Sequence, residues 1–70
     1  MALPDLSLVV PVYNEEDNIQ PLFSKIASAM EGLGRSWEVV FVDDGSRDQS
    51  LARLETLAAE DRRVVVVGLR

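Results

Sequence analysis

Trp37-Glu38-Val39-Val40-Phe41-Val42, followed directly by Asp43-Asp44-Gly45-Ser46, is the stretch that decides the fold of this 70-residue chain. The first six residues form an apolar run that is too short for a helix and is rich in β-branched and aromatic side chains, so they predict a buried strand. The next four residues favour a turn. A carboxylate is therefore expected at the carboxyl end of a buried strand.

Two further apolar runs predict strands on either side of this stretch, one over Leu6–Val12 and one over Val64–Leu69. The segments between the strands carry apolar residues at helical spacing, which predicts two amphipathic helices. The helical stripes consist of Ile19, Leu22, Phe23, Ile26, Ala27 and Met30 in the first helix and Leu51, Leu54, Leu57 and Ala58 in the second.

Polar residues and glycines mark the expected helix ends. Asn18 is the predicted N-cap of the first helix, and Ser46 or Asp48 is available to cap the second. Gly32 and Gly34 are expected to end the first helix in the left-handed conformation.

The resulting order, β-α-β-α-β, predicts an α/β fold with parallel strands joined by right-handed helical crossovers. This is one half of a doubly wound, Rossmann-like parallel sheet. Right-handed winding places both helices on the same face, so the other face of the sheet lacks a cover. The open sheet edge also allows self-association.

Composition limits the chemistry that the chain can perform. It has neither cysteine nor histidine, so its chemistry must use carboxylates, hydroxyls or backbone groups. The net charge of −5, with scattered basic residues, argues against nucleic acid as a partner. The apolar runs are far shorter than a membrane span of about 20 residues, and no secretory signal is visible, so we expect a cytoplasmic location.

The loop after the first strand, residues 11–18, is polar and acidic and contains no glycine, which argues against a dinucleotide-binding turn. Because ligands of open parallel sheets bind beyond the carboxyl ends of the strands, this loop is a candidate site. Tyr13 offers a ring for stacking on a base, and Asn14 and Glu15 offer an amide and a carboxylate. A purely structural role, with Tyr13 packed on the first helix and Asn14 fixing the turn, remains open.

The loop after the second strand offers a carboxylate that can accept from a ring N–H or from ribose hydroxyls. One of Asp43 and Asp44 is expected to be structural, because Asp and Ser before a helix are good caps. A magnesium site of the receiver-domain kind is disfavoured: the acidic pair follows the second strand instead of the first, and the third strand ends in Gly68-Leu69-Arg70.

The two loops together closely resemble the opening of family 2 glycosyltransferases of the GT-A fold. The resemblance is carried by residues 9–16, Val-Val-Pro-Val-Tyr-Asn-Glu-Glu, and residues 42–46, Val-Asp-Asp-Gly-Ser, and by their spacing. Within that family, residues 14–19 and 44–48 look most like the polyprenyl-phosphate sugar transferases, such as dolichol-phosphate mannosyltransferase and bacterial undecaprenyl-phosphate glycosyltransferases.

The resemblance implies a nucleotide-sugar-binding site without catalytic residues. It implies that Pro11 and Tyr13 pack on the nucleotide base, that Glu15 approaches the donor and that Asp44 hydrogen-bonds the base, while Asp43 is mostly turn scaffold. The family's metal-holding Asp-x-Asp motif does not occur in these residues.

The resemblance also predicts the function of a longer protein. Residues 1–70 are expected to be an incomplete nucleotide-sugar-binding domain of an enzyme that transfers a sugar from a nucleotide-diphosphate sugar, with a lipid phosphate as acceptor. A divalent cation, Mg or Mn, is expected for that enzyme, with ligands outside this chain, and the parent is expected at the cytoplasmic face of a membrane. The alternative is a stand-alone α/β binding or interaction module without catalysis.

Overall fold

The computed structural model describes residues 3–69, which form five elements in the predicted order. The strands are β1, Leu6–Val12, β2, Trp37–Asp44, and β3, Val64–Leu69. The helices are α1, Ile19–Glu31, and α2, Ser50–Glu60. The α/β prediction is confirmed, and β2 extends two residues beyond the predicted end at Val42.

The three strands form one parallel sheet in the order β1-β2-β3, with β2 in the middle. In β2 the side chains alternate strictly between buried and less buried positions. Since alternate side chains of a strand point to opposite faces, the helices cover one face of the sheet. The prediction that both helices pack on the same face is confirmed by this pattern and by the contact between α1 and α2.

The core lies between the covered face of the sheet and the two helices. Phe41, from the central strand, and Leu54, from α2, are completely buried there. The apolar stripes of the helices supply the facing side of this core, as their helical spacing predicts. The buried apolar residues are Val12, Ile19, Ile26, Trp37, Val39, Phe41, Leu54, Leu57 and Val64.

The opposite face of the sheet remains open to solvent. Val9 is 64% exposed, and Val65, Val67 and Leu69 are also exposed. This is the uncovered face that two same-side helices leave on a three-stranded sheet.

The helix ends differ from the predicted ones in three details. Asn18 occupies the N-cap position of α1, but its side chain makes no capping hydrogen bond. Gly32 is the C-cap with a right-handed φ of −65°, so its predicted left-handed conformation is wrong, whereas Gly34 has a φ of 65° as expected. The N-cap of α2 is Gln49, so the prediction of Ser46 or Asp48 at that position is wrong. The Ser46 hydroxyl bonds to Asp43 and to the N–H of Asn14, whereas Asp48 Oδ1 still accepts from the N–H of Ser50, the first residue of α2.

Over residues 3–69, neither helix has the length and hydrophobicity needed to cross a membrane.

Candidate functional site at the strand ends

The carboxyl ends of β1 and β2 lie side by side, because the two strands are parallel and in register from Leu6↔Trp37 to Val12↔Asp43. The chain leaves β1 into a first loop, residues 13–18, and leaves β2 into a second loop, residues 45–49. Both loops therefore emerge at one edge of the sheet. This is the position at which open parallel sheets bind ligands.

Asn14 links the two loops through two hydrogen bonds of opposite direction. Its backbone N–H donates to Ser46 Oγ at 2.9 Å, and its Oδ1 accepts from the backbone N–H of Arg47 at 2.8 Å. Asn14 has a φ of 50°, a left-handed conformation that asparagine tolerates better than most residues. The turn after Tyr13 is thus fixed by residues that lie more than 30 positions away.

Two further backbone donors of the first loop bond to side chains around the start of α2. The N–H of Glu15 donates to Ser50 Oγ at 2.7 Å, and the N–H of Glu16 donates to Asp48 Oδ2 at 3.2 Å. Ser50 is completely buried. The four residues that join the loops, Asn14, Ser46, Asp48 and Ser50, are called the loop clamp below.

The two neighbouring aspartates have different environments. Asp43 is only 2% exposed, and its carboxylate accepts hydrogen bonds from the N–H of Ser46, at 3.1 Å, and from the Ser46 hydroxyl. Asp44 is exposed, and within residues 3–69 its carboxylate accepts no hydrogen bond and forms no ion pair. Asp43 therefore anchors the turn, while the Asp44 carboxylate is free to bind a ligand.

Of the other residues that the resemblance pointed to, Pro11 and Tyr13 are exposed near the same edge. Pro11 pairs with Val42 in the register, and Tyr13 follows the last pair, Val12↔Asp43, so that the end of β1 brings Tyr13 to the level of Asp44. Tyr13 is 52% exposed. Because alternate residues share a face, Pro11 and Asp44 belong to the open face of the sheet.

Glu15 is exposed at the same edge, but its carboxylate is already engaged. It accepts a hydrogen bond of 2.6 Å from the Asn18 side-chain amide. The contact uses the Asn18 amide nitrogen, and the Asn18 side chain makes no capping hydrogen bond to α1.

The Asp48 carboxylate is stabilised in its ionised form. Partial burial alone raises its pKa, but hydrogen bonds from the Ser50 side chain and N–H and from the N–H of Glu16 outweigh it, so the pKa of Asp48 lies below its usual value of 3.8. A charged acceptor strengthens the hydrogen bonds that it receives. The loop clamp thus contains one fixed negative charge.

A shallow pocket of about 320 Å³ opens next to the second loop and is lined by Asp43, Gly45, Ser46, Leu51 and Leu69. Gly45 forms part of its wall with a φ of 77°, which side-chain-bearing residues rarely adopt. The volume lies at the lower end of the range of small-ligand sites.

Within residues 3–69 no three His, Cys, Asp or Glu side chains come together as a possible metal site. Asp43 is committed to Ser46, which leaves the exposed Asp44 without a second carboxylate that could share an ion. The described residues therefore do not fit a divalent cation.

Sequence reasoning missed the loop clamp. The sequence predicts that Ser46 and Asp48 cap a helix and that Asn14 fixes its own turn. In the structure Asp48 accepts from the N–H of Ser50 at the start of α2, but all three residues also join the two loops across separations of 32 and 33 positions. The available signal was the density of Asn, Asp and Ser in both loops, because such side chains readily bond to backbone N–H groups. That density does not indicate which loop each side chain contacts.

Comparison with known proteins places these loops in a family. The family model described as glycosyl transferase family 2 matches residues 7–70. The undecaprenyl-phosphate 4-deoxy-4-formamido-L-arabinose transferase of Shewanella sediminis is 45% identical over 65 residues, which are 91% of this chain and 20% of that protein. The protein of the same name from Pectobacterium atrosepticum is 44% identical over 67 residues, covering 96% of this chain and 20% of the relative.

An uncharacterized glycosyltransferase of Synechocystis is 37% identical over 65 residues, covering 93% of this chain and, again, 20% of the relative. The chain thus spans about a fifth of the length of the curated relatives that it matches. The family match includes both loops, the loop clamp and all four residues predicted to bind a nucleotide sugar. With its parallel α/β fold and a match over residues 7–70, the chain belongs to glycosyl transferase family 2.

Proposed function

We propose that this chain is the nucleoside-binding part of a glycosyltransferase that takes a sugar from a nucleotide-diphosphate sugar and transfers it to a polyprenyl phosphate. The observation that carries the proposal is the exposure of Tyr13 and of the unpaired Asp44 carboxylate at adjacent ends of β1 and β2. Because the chain belongs to glycosyl transferase family 2, we propose that a nucleotide sugar binds at this edge of the sheet.

In the proposed complex the base lies between these two groups. Asp44 accepts a hydrogen bond from a ring N–H, such as those of uracil and guanine, or from ribose hydroxyls. Tyr13 contributes a ring face, and Pro11 extends the same apolar surface. Both are exposed in the free chain, so no rearrangement of the core is needed to reach them.

The Glu15 carboxylate is proposed to approach the donor. Its backbone N–H is held by Ser50, and its side chain accepts from Asn18. A hydroxyl of the nucleotide sugar could replace the Asn18 amide as the hydrogen-bond donor to this carboxylate, whose backbone is already held in place.

The remaining steps of sugar transfer are not assigned to residues of this chain. The described residues offer no ligand set for a divalent cation, and residues 1–70 are proposed to be an incomplete domain. In the proposed reaction the lipid phosphate forms a bond to the anomeric carbon of the sugar while the bond from that carbon to the nucleoside diphosphate breaks.

The lipid-phosphate acceptor is supported by the names of the relatives. Two proteins that are 44–45% identical to this chain are named as transferases that act with undecaprenyl phosphate. A membrane-anchored acceptor places the parent enzyme at a membrane surface, and we propose the cytoplasmic face.

The proposal is tested by nuclear magnetic resonance titration of the chain with uridine, guanosine, cytidine and adenosine diphosphates. We expect weak binding to at least one of them, with amide shifts around Tyr13 and Asp44. The Asp44→Ala variant should bind at least about tenfold more weakly, because a hydrogen bond to a charged group contributes about 1.5–3 kcal/mol.

Glu38→Ala is the matched control for that variant. Glu38 lies on the same face of β2 at its other end, where its carboxylate accepts from the Ser7 hydroxyl. The Glu38→Ala variant removes the same charge from the same face, and its nucleotide affinity should stay within about twofold of that of the unchanged chain. Equal affinities of the Asp44→Ala variant and the unchanged chain would show that Asp44 does not bind the nucleotide.

A second candidate function, an interaction module, is favoured by one observation, the exposed apolar residues of the open face such as Val9 and Leu69. Sedimentation of the chain at several concentrations distinguishes the two functions. A well-folded dimer that binds none of the four nucleoside diphosphates supports the interaction module. A chain whose strand-end amide resonances shift when a nucleotide is added supports the enzyme.

A further inference from the structure

We infer that Asn14 is a positioning residue for nucleotide binding: it holds the backbone between Tyr13 and Glu15 against the second loop, so that Tyr13 stays next to Asp44. The inference rests on the proposed function, because it concerns the same site. It assigns a specific task to a residue that touches neither the core nor, in the proposed complex, the base.

The first step of the argument is the directness of the link. Asp43 binds Ser46 through both the backbone and the hydroxyl, and the Ser46 hydroxyl accepts from the N–H of Asn14. Asp43 precedes Asp44, and Asn14 follows Tyr13. The backbones that carry the two proposed ligand-binding side chains are thus joined through one serine.

The second step is that the contact fixes orientation as well as distance. Asn14 donates from its backbone to Ser46 and accepts on its side chain from the next residue, Arg47. Two hydrogen bonds in opposite directions to successive residues leave little freedom for rotation of the turn. The φ of 50° at Asn14 is thereby held in place.

The third step is that these bonds lie outside the packed core. Asn14 is exposed, whereas the residues that stabilise the sheet and helices are buried elsewhere. An exposed contact that orders a binding loop lowers the entropy lost when the ligand binds. Its loss should therefore weaken binding more than it weakens the fold.

Three variants separate this role from a structural one. Asn14→Gly keeps the left-handed backbone accessible but removes the Oδ1 acceptor, and Asn14→Asp keeps an acceptor at the same place. Gln49→Gly adds the same flexibility to the other loop, at a side chain that makes no capping hydrogen bond. The Gln49→Gly variant is therefore the matched control for the effect of introducing a glycine.

The probes are uridine and guanosine, which are uncharged, so the added carboxylate of Asn14→Asp does not repel them. Affinity is measured by amide shifts, and the unfolding midpoint of each variant is measured by circular dichroism. We expect Asn14→Gly to bind about tenfold more weakly, equivalent to about 1.4 kcal/mol, with an unfolding midpoint close to that of Gln49→Gly. Asn14→Asp should restore affinity to within about threefold.

A second readout uses the free chain. In Asn14→Gly the amide of Tyr13 should become more mobile on the fast timescale of ¹⁵N relaxation, while the amides of β2 remain rigid. Gln49→Gly should leave Tyr13 unchanged.

The outcomes are distinct. If the unchanged chain binds a nucleoside and Asn14→Gly binds it equally well, Asn14 has no positioning role, although the proposed function stands. Failure of Asn14→Asp to restore affinity also contradicts the inference. If the unchanged chain responds to no nucleoside and to no nucleoside diphosphate, the proposed function is wrong and the inference falls with it.

Discussion

The polar side chains at the two ends of the sheet have different partners. At the amino-terminal end, Arg63 lies 4.3 Å above the Trp37 ring and makes two side-chain hydrogen bonds to Asp61, at 3.0 and 2.8 Å. At the carboxyl-terminal end, the side chains of the loop clamp bind backbone N–H groups, and the Asp44 carboxylate and the Tyr13 ring remain exposed.

This difference distinguishes an end of the sheet whose polar groups stabilise the fold from an end whose side chains are available to a ligand. At the amino-terminal end Arg63 and Asp61 are partners within the protein, and hydrogen bonding from Arg63 lowers the pKa of Asp61 while raising that of the guanidinium. At the carboxyl-terminal end the clamp orders the loops and leaves side chains uncommitted. A ligand-binding edge requires both conditions, an ordered backbone and free functional groups.

The largest expected effect comes from breaking the amino-terminal end. Trp37 is 6% exposed, packs against Phe23 with ring centroids 6.3 Å apart and supports Arg63. Trp37→Ala should lower the free energy of unfolding by about 3–5 kcal/mol, measured by urea denaturation. Trp37→Phe, which keeps most of the packing, should lose clearly less, and an equal loss in both variants would contradict the packing argument.

A smaller effect should separate the two neighbouring aspartates. Asp43→Ala leaves the N–H of Ser46 without its acceptor inside the protein and should destabilise the chain by about 1–3 kcal/mol. Asp44→Ala removes an exposed carboxylate that forms no hydrogen bond or ion pair with the described residues, so the unfolding free energy should change by less than about 0.5 kcal/mol. Urea denaturation of both variants checks this, and similar losses would mean that Asp44 is structural as well.

The same contrast explains how far the sequence could predict the structure. Strand and helix patterns are local, so the positions of β1, β3 and both helical stripes follow from side-chain spacing, and their order predicts the parallel sheet. The closeness of Tyr13 and Asp44 follows from that order as well, because parallel strands end at one edge.

The loop clamp could not be predicted in the same way. Ser46 has the chemistry of a helix cap, but its hydroxyl contacts Asp43 and the N–H of Asn14 instead. Gly32 shows the same limit, since a glycine after a helix permits the left-handed conformation without requiring it, and here Gly34 adopts it. Permissive residues reveal which conformations are available, and the tertiary contacts then select one.

The smallest effect is expected from acid, and it tests whether the charge of Asp48 holds the carboxyl-terminal end together. The pKa of Asp48 in the folded chain is lower than its usual 3.8, so the unfolded chain takes up the proton first as the pH falls. The stabilisation is therefore complete above the unfolded value and is lost as the pH drops through the lower folded value. Asp48→Asn, which has no titrating group, should show a flatter dependence of the urea midpoint on pH between about 5 and 2.

The acid titration of Asp61 is common to both proteins in that comparison, so the difference between their pH profiles isolates the loop clamp. Amide exchange sharpens the result, because the N–H of Glu16 donates to Asp48 and should lose protection in acid before the amides of β2 do. Parallel pH profiles for the unchanged chain and Asp48→Asn would show that the carboxylate charge adds nothing to the clamp. The neutral hydrogen bonds of Asn14, Ser46 and Ser50 would then hold the two loops together by themselves.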